Sequence, residues 1–158
     1  MTPGLPRGLL RRLTSVVRLK GGDRAPAEPW RPETGAYPRL LALDEKTQEL
    51  TGIPGLYLLW HLGVRPQWLR AGFTRDLGMA VKVLAATPKV VACSVHDGPF
   101  VSWRPCEEQD ALALVNSLVA RLSHALQPLS IPCDVPPDPA VPPVRCPLPR
   151  GTREIGGD

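Results

Sequence analysis

The chain has 158 residues and a mass of 17.2 kDa, room for one domain and little more. Hydrophobic residues make up 43% and no apolar run nears the ~18 residues of a membrane span, which excludes a transmembrane protein; the patterned apolar middle excludes a fully disordered chain. A net charge of +4, from 19 Lys+Arg against 15 Asp+Glu, is too small to name a nucleic acid or an anionic membrane as partner.

In residues 5–18, Leu5, Leu9, Leu10, Leu13, Val16 and Val17 fall on one helical face, opposite Arg7, Arg11, Arg12, Ser15 and Arg18. Gly21-Gly22 ends this basic amphipathic helix, so residues 1–22 form a unit that packs on its own domain or docks on an anionic membrane or a protein partner. The candidate docking contacts are Leu9, Arg11, Arg12 and Leu13. Residues 23–50 read as an extended linker, with Pro26, Pro29, Pro32 and Pro38, followed by a short helix over 40–50.

The folded core is expected over 51–130. Leu56–Trp60 is a continuous apolar run after Pro54-Gly55, the mark of a central strand covered on both faces. Gly63 and Pro66 turn the chain, and Gln67–Ala71 pairs back as a second strand. Thr74 caps a helix over 75–86, with Leu77, Ala80, Val81 and Leu84 on one face and Pro88 at its close. Val90–Val95 reads as a third strand, joined by an Asp97-Gly98 hairpin to a returning strand over Phe100–Trp103. A long helix follows. Glu107, Glu108 and Asp110 crowd its N-terminus, Arg121 and His124 lie toward its other end, and Ala111, Val115, Leu118, Leu122 and Leu126 form its buried stripe. The last 30 residues hold 8 of the 20 prolines, so 131–158 reads as a polyproline-like or disordered tail. The fold class is α+β: a small three- to four-stranded sheet flanked by helices.

None of the four cysteines, Cys93, Cys106, Cys133 and Cys146, forms a C-x-x-C pair. Cys93 and His96 are three apart on an expected strand, which sends them to opposite faces, so no metal site and no cofactor is expected. No secretory signal is visible, and reduced thiols in a cytoplasm are the default, with the chain peripheral at a membrane if the first helix docks there.

Gly55-Leu56-Tyr57 and, after 12 intervening residues, Arg70-Ala71-Gly72 resemble the G-I-Y and Y-I-G strands of the GIY-YIG nuclease domain, as in the nuclease subunit of bacterial excision repair. Gly72-Phe73-Thr74-Arg75-Asp76-Leu77 resembles that family's entry into its first helix, Ala111-Leu112-Ala113-Leu114 the segment before its metal-binding glutamate, and Leu126-Gln127-Pro128 the end of that helix. The resemblance covers about residues 52–130 and implies metal-assisted phosphodiester hydrolysis. It also implies a loss. Tyr57 keeps the first tyrosine, but Arg70 replaces the second, Ala80 stands where the phosphate-contacting arginine is expected, and Val115 stands in place of the metal ligand. A methyl group cannot hold a phosphate, and an isopropyl group cannot ligate Mg²⁺, which needs oxygen donors.

The leading expectation is therefore a non-catalytic module that binds DNA or RNA through Arg65, Arg70, Arg75, Lys82 and Lys89, with Tyr57 or Trp68 stacking on a base. The alternative is a protein-interaction or assembly factor docked by residues 5–18. A divergent metal-dependent nuclease using Tyr57, His61 and an unrecognised carboxylate is the third reading.

Overall fold

The computed structural model describes Trp30, residues 36–43, 49–122 and 131–149, and Gly151, Thr152 and Ile155. The expected N-terminal helix, with Leu9, Arg11, Arg12 and Leu13, lies outside the described residues.

The fold is organised by β1 (Gly55–His61), all seven residues of which are buried. Strand alternation sends Leu56, Leu58 and Trp60 to one face and Tyr57 and Leu59 to the other, so two apolar layers form on the two sides of one strand. β2 (Gln67–Thr74) pairs antiparallel with β1 from Gly55↔Thr74 to His61↔Gln67, with a bulge between Leu59 and Trp60. β3 (Phe100–Pro105) pairs antiparallel on the other side of β1. The four-stranded order is β3-β1-β2-β4, where β4 is Asp134–Val135. The architecture is α+β.

Helix α1 (Leu77–Ala86) covers the Tyr57 face with Leu77, Ala80, Val81 and Leu84, the stripe read from its periodicity. Its cap is Asp76 rather than Thr74: the Asp76 carboxylate accepts from the Met79 N–H at 3.0 Å and from the Gly52 N–H at 2.9 Å, tying the 49–54 turn to the helix start. Helix α3 (Glu108–Arg121) covers the opposite face with Ala111, Val115 and Leu118, and carries Glu108 and Asp110 in its first turn. Leu126 and His124 lie outside the described residues.

The expected strand over Val90–Val95 is helical. Pro88 ends α1 and starts α2 (Pro88–Val91), where its missing N–H costs nothing, and a 3-10 turn (Ala92–Val95) follows. A run with five apolar residues out of six pointed to a strand, but neither edge of β1 nor the Phe100–Val101 edge of β3 is free to receive it. β1 is paired on both sides, and the outer edge of β3 is taken by the Arg39↔Phe100 bridge and the Val101 N–H to Pro38 carbonyl bond. Asp97-Gly98 consequently leads from helix into β3 and does not close a hairpin.

The outer segments belong to the domain, which extends past 51–130. Trp30 is buried, its indole N–H donating to the Pro147 carbonyl at 3.1 Å, and the Tyr37 ring packs edge-on against Trp60. In place of a helix over 40–50 the described part has a 3-10 turn, Leu40–Ala42, with Leu40, Leu43 and Leu50 in the Tyr57-side core. The tail is not disordered over 131–149. Ile131 joins the same core, Cys146 is fully buried on the other face beside Ile155, and β4 extends the sheet. Proline density forbids a long ladder but leaves room for a two-residue edge pairing and for side-chain packing.

Asp76→Ala removes the acceptor for both Met79 and Gly52, and chemical denaturation should place the variant about 1–2 kcal/mol below wild type. Asp76→Asn, which keeps an acceptor, should recover most of that loss.

Candidate functional site

The site begins with an arginine in an apolar strand. Arg70 pairs with Leu59 of β1 and points to the Tyr57 face, where 9% of it is exposed. A guanidinium cannot be deprotonated in a protein, so its burial demands an acceptor. Its Nε donates to the Tyr57 Oη at 2.8 Å, and its Nη2 donates to Asp134 Oδ2 at 2.7 Å. The Tyr57 hydroxyl donates in turn to the same Asp134 oxygen at 2.6 Å. Gly72 makes room for this closure: a Cβ there would meet the Tyr57 Oη at 2.7 Å.

Burial raises the Tyr57 phenol far above its usual range, and the Asp134 carboxylate adds to that rise while Arg70 opposes it. Burial also pushes the Asp134 carboxyl up, against the pull of the Tyr57 and Arg70 hydrogen bonds. For Arg70 burial works downward, but Tyr57 and Asp134 outweigh it and hold the guanidinium above its ordinary value. Among the described residues, Asp134 Oδ1 is buried with no hydrogen-bond partner, as is the Trp103 indole N–H on the same face. The cluster is thus a closed ionic network with one carboxylate oxygen left idle. The Tyr57 hydroxyl donates to Asp134 and accepts from Arg70, and burial disfavours its ionised form.

The other expected site residues do not converge there. Arg65, Lys82 and Lys89 are exposed on the β1–β2 turn, α1 and α2. Arg75 makes a two-pronged ion pair with Glu108, Nε to Oε2 at 3.1 Å and Nη2 to Oε1 at 2.9 Å, a pairing that holds Glu108 below and Arg75 above their ordinary values. This pair lines an open cavity of about 360 Å³ together with Gly52, Pro54, Phe73 and Glu107. Trp68 is buried, its N–H donating to the Ile155 carbonyl at 2.9 Å, so it presents no face to a base. Tyr57 is likewise 1% exposed, and Arg70 is spent on Asp134. Ala80 shares the Tyr57 face, whereas Val115 lies in the core on the opposite side of the sheet. A carboxylate at 115 would enter that second core and not the Tyr57 pocket.

His61 lies four residues, about 13 Å, along β1 from Tyr57. Its ring stacks on His96 with centroids 4.8 Å apart and planes at 25°, and its Nδ1 accepts from the Gly63 N–H at 3.3 Å. Burial lowers the His61 pKa, the neighbouring His96 lowers it further, and a bond with Gln67 opposes both. Cys93 and His96 are not on a strand, so they are not parted by strand alternation. Cys93 Sγ instead donates to the Lys89 carbonyl at 3.3 Å while His96 faces His61. Among the described residues no group of three or more His, Cys, Asp or Glu could hold a metal ion. All four cysteines are free thiols, and burial pushes Cys106 up to about 11. Among the described residues, no single helix is long and apolar enough to cross a membrane.

Compared with protein-family models, with curated proteins and with solved structures, the chain matches none.

Asp134 was missed by the sequence reading because its partners are 64 and 77 residues away and nothing local marks it. The one available signal was Arg70 itself, a cation within an otherwise apolar strand that requires a counterion.

Two measurements follow. Arg70→Leu leaves the buried Asp134 carboxylate without a counter-charge and should cost about 3 kcal/mol in denaturant unfolding, whereas Arg70→Leu with Asp134→Leu should regain most of it. Because the folded His61 pKa lies below the unfolded 6.5, its contribution to stability is complete above pH 6.5 and is lost as pH falls toward the folded value. The Tm of wild type should therefore drop more steeply on acidification from pH 7.5 than that of His61→Gln, and parallel profiles would refute the assignment.

Proposed function

We propose that the chain is a non-catalytic binding module on a GIY-YIG-like scaffold and that its ligand is a protein. One observation carries the first half: the residues at the nuclease-like position, Tyr57 and Arg70, are both consumed in a buried network with Asp134. The order of strand, strand, helix, strand and long helix supports the scaffold likeness, with the stretch before β3 helical. Ala80 on the Tyr57 face agrees with the loss of the arginine, whereas Val115 lies across the sheet and does not support the likeness at the metal-ligand position. No cofactor enters this reading.

The character of the surface supports a protein ligand. Leu62 (42% exposed), Val64 (100%) and Val95 (82%) stand out from two segments held against each other by the Leu62 N–H to Asp97 carbonyl bond and the His61–His96 stack. Scattered exposed aliphatics are ordinary, but aliphatics gathered at one end of a small domain are what a protein interface uses. The second reading, a nucleic-acid module, is favoured by the exposure of Arg65, Lys82 and Lys89. It is weakened because Tyr57, Trp68 and Arg70 are inside and Arg75 is paired.

The full chain should show no Mg²⁺- or Mn²⁺-dependent cleavage of duplex or single-stranded DNA or RNA. Its anisotropy titrations with labelled oligonucleotides should show no binding that falls steeply with salt. Cleavage that follows the protein through purification and disappears in Tyr57→Phe overturns the non-catalytic reading. Salt-dependent binding lost on Arg65→Ala, Lys82→Ala and Lys89→Ala together overturns the choice of a protein over a nucleic acid.

A further inference from the structure

We propose that the Tyr57–Arg70 pocket is a recognition site for an extended acidic peptide segment, and that the chain's own residues Ile131–Val135 occupy it as an internal ligand. The inference rests on the reading of the domain as a protein-binding module and names the chemistry of what it binds.

The occupant has the form of a peptide laid on a sheet edge. Asp134 and Val135 pair antiparallel with Thr74 and Phe73 of β2, and the Arg75 N–H donates to the Cys133 carbonyl at 2.9 Å. Strand addition of this kind draws affinity from the main chain and specificity from side-chain pockets. Two side chains are read on the Tyr57 face. Ile131 is 5% exposed in the apolar core of the Tyr57 face, and Asp134 reaches Tyr57 and Arg70. Pro132 and Cys133 between them are exposed. The recognised pattern is an aliphatic residue, two unread positions, then aspartate.

The internal segment is also an imperfect occupant. Only two of its residues join the sheet, and Pro132, Pro136 and Pro137 flank them without an N–H to extend the pairing. Cys133 is held at φ +70°, a region that residues with a side chain seldom adopt. Asp134 Oδ1 is desolvated without a donor. Each of these makes the seat easier to vacate for a segment that carries the same two side chains without the same penalties. The chain beyond it, residues 136–140, is exposed, so the core contact given up on the Tyr57 face when β4 leaves is that of Ile131, which the incoming aliphatic side chain replaces.

The test uses the full chain and a fluorescein-labelled peptide copying Ile131–Pro137, with serine in place of Cys133. Asp134→Ala, which removes the internal carboxylate, should bind this peptide at least tenfold more tightly than wild type does. It should also prefer it at least tenfold over the same peptide with asparagine for aspartate. Equal binding by both chains, equal binding of both peptides, or no binding to a folded Asp134→Ala chain overturns the proposal. Should Asp134→Ala fail to fold, the aspartate peptide added in excess should restore near-ultraviolet circular dichroism and a thermal transition where the asparagine peptide does not. Absence of that rescue overturns it as well. Inorganic phosphate or a short oligonucleotide that displaces the labelled peptide as potently as unlabelled peptide would reassign the pocket to an oxyanion. Cleavage of nucleic acid by wild type would sink the non-catalytic reading while leaving the peptide competition to be judged on its own result.

Discussion

Everything on the Tyr57 face follows from one buried positive charge. Arg70 sits in a strand with seven of its eight residues buried, and a guanidinium can neither lose its proton nor be left unpaired there without a cost of several kcal/mol. Between residues 51 and 103 the chain offers just two carboxylates. Asp76 is committed to capping α1, and Asp97 lies with Arg39 at 2.7 Å on the surface. The counterion therefore has to come from outside the central stretch, and Asp134 supplies it. Bringing that carboxylate in brings its neighbours too: Ile131 enters the core and β4 covers the end of β2. A segment whose prolines would leave it extended and free is folded back by the charge it carries. The exposed pairs Arg39–Asp97 and Arg75–Glu108 carry no comparable consequence, since surface ion pairs contribute little and their removal strands no charge in a core.

Tyr57 is the hinge of that network. Its row of the sheet runs Trp103, Tyr57, Gly72, and the glycine is what lets the phenol stand close against β2 on its way to Arg70. A catalytic tyrosine must exchange a proton or a lone pair with something that arrives and leaves. Here the hydroxyl donates to one internal partner and accepts from another, in a setting that disfavours its ionised form. The neutral phenol sits beside the direct Arg70–Asp134 pair and bonds both partners. The structural role of Tyr57 is set by a residue 77 positions away in the chain.

Legibility followed the range of the interactions. β1, β2 and β3 and the two long helices were readable because their signals are local: a continuous apolar run for β1, turn residues before β2 and β3, and 3.6-residue periodicity for both helices, with an acidic first turn in α3. The stretch 90–95 was misread because a short segment with five apolar residues out of six suits a strand or a short helix equally. The deciding fact, that both edges of the β3–β1 pair are occupied, is tertiary. Thr74 and Asp76 are both good caps, and the contact with the Gly52 N–H, 24 residues away, favours the second. The tail was misread for a different reason. Proline density speaks only to backbone hydrogen bonds, whereas Ile131, Asp134 and Cys146 are held by side chains. The Arg70 signal was present in the sequence, but it announces the need for a carboxylate without saying which one.

Tethering sets the terms on which such a pocket can be shared. A segment held in cis competes at an effective concentration on the order of millimolar, so a ligand present at about a micromolar needs roughly a thousandfold advantage, near 4 kcal/mol, to displace it. A donor placed against the idle oxygen of the aspartate would contribute about 1–3 kcal/mol of this. The remainder has to come from backbone pairing. The internal segment stops after two residues because prolines follow it, and a ligand without prolines at those positions is free of that limit. Affinity in trans should therefore depend less on the aspartate, which the internal segment already matches, than on how far the ligand's backbone continues along β2.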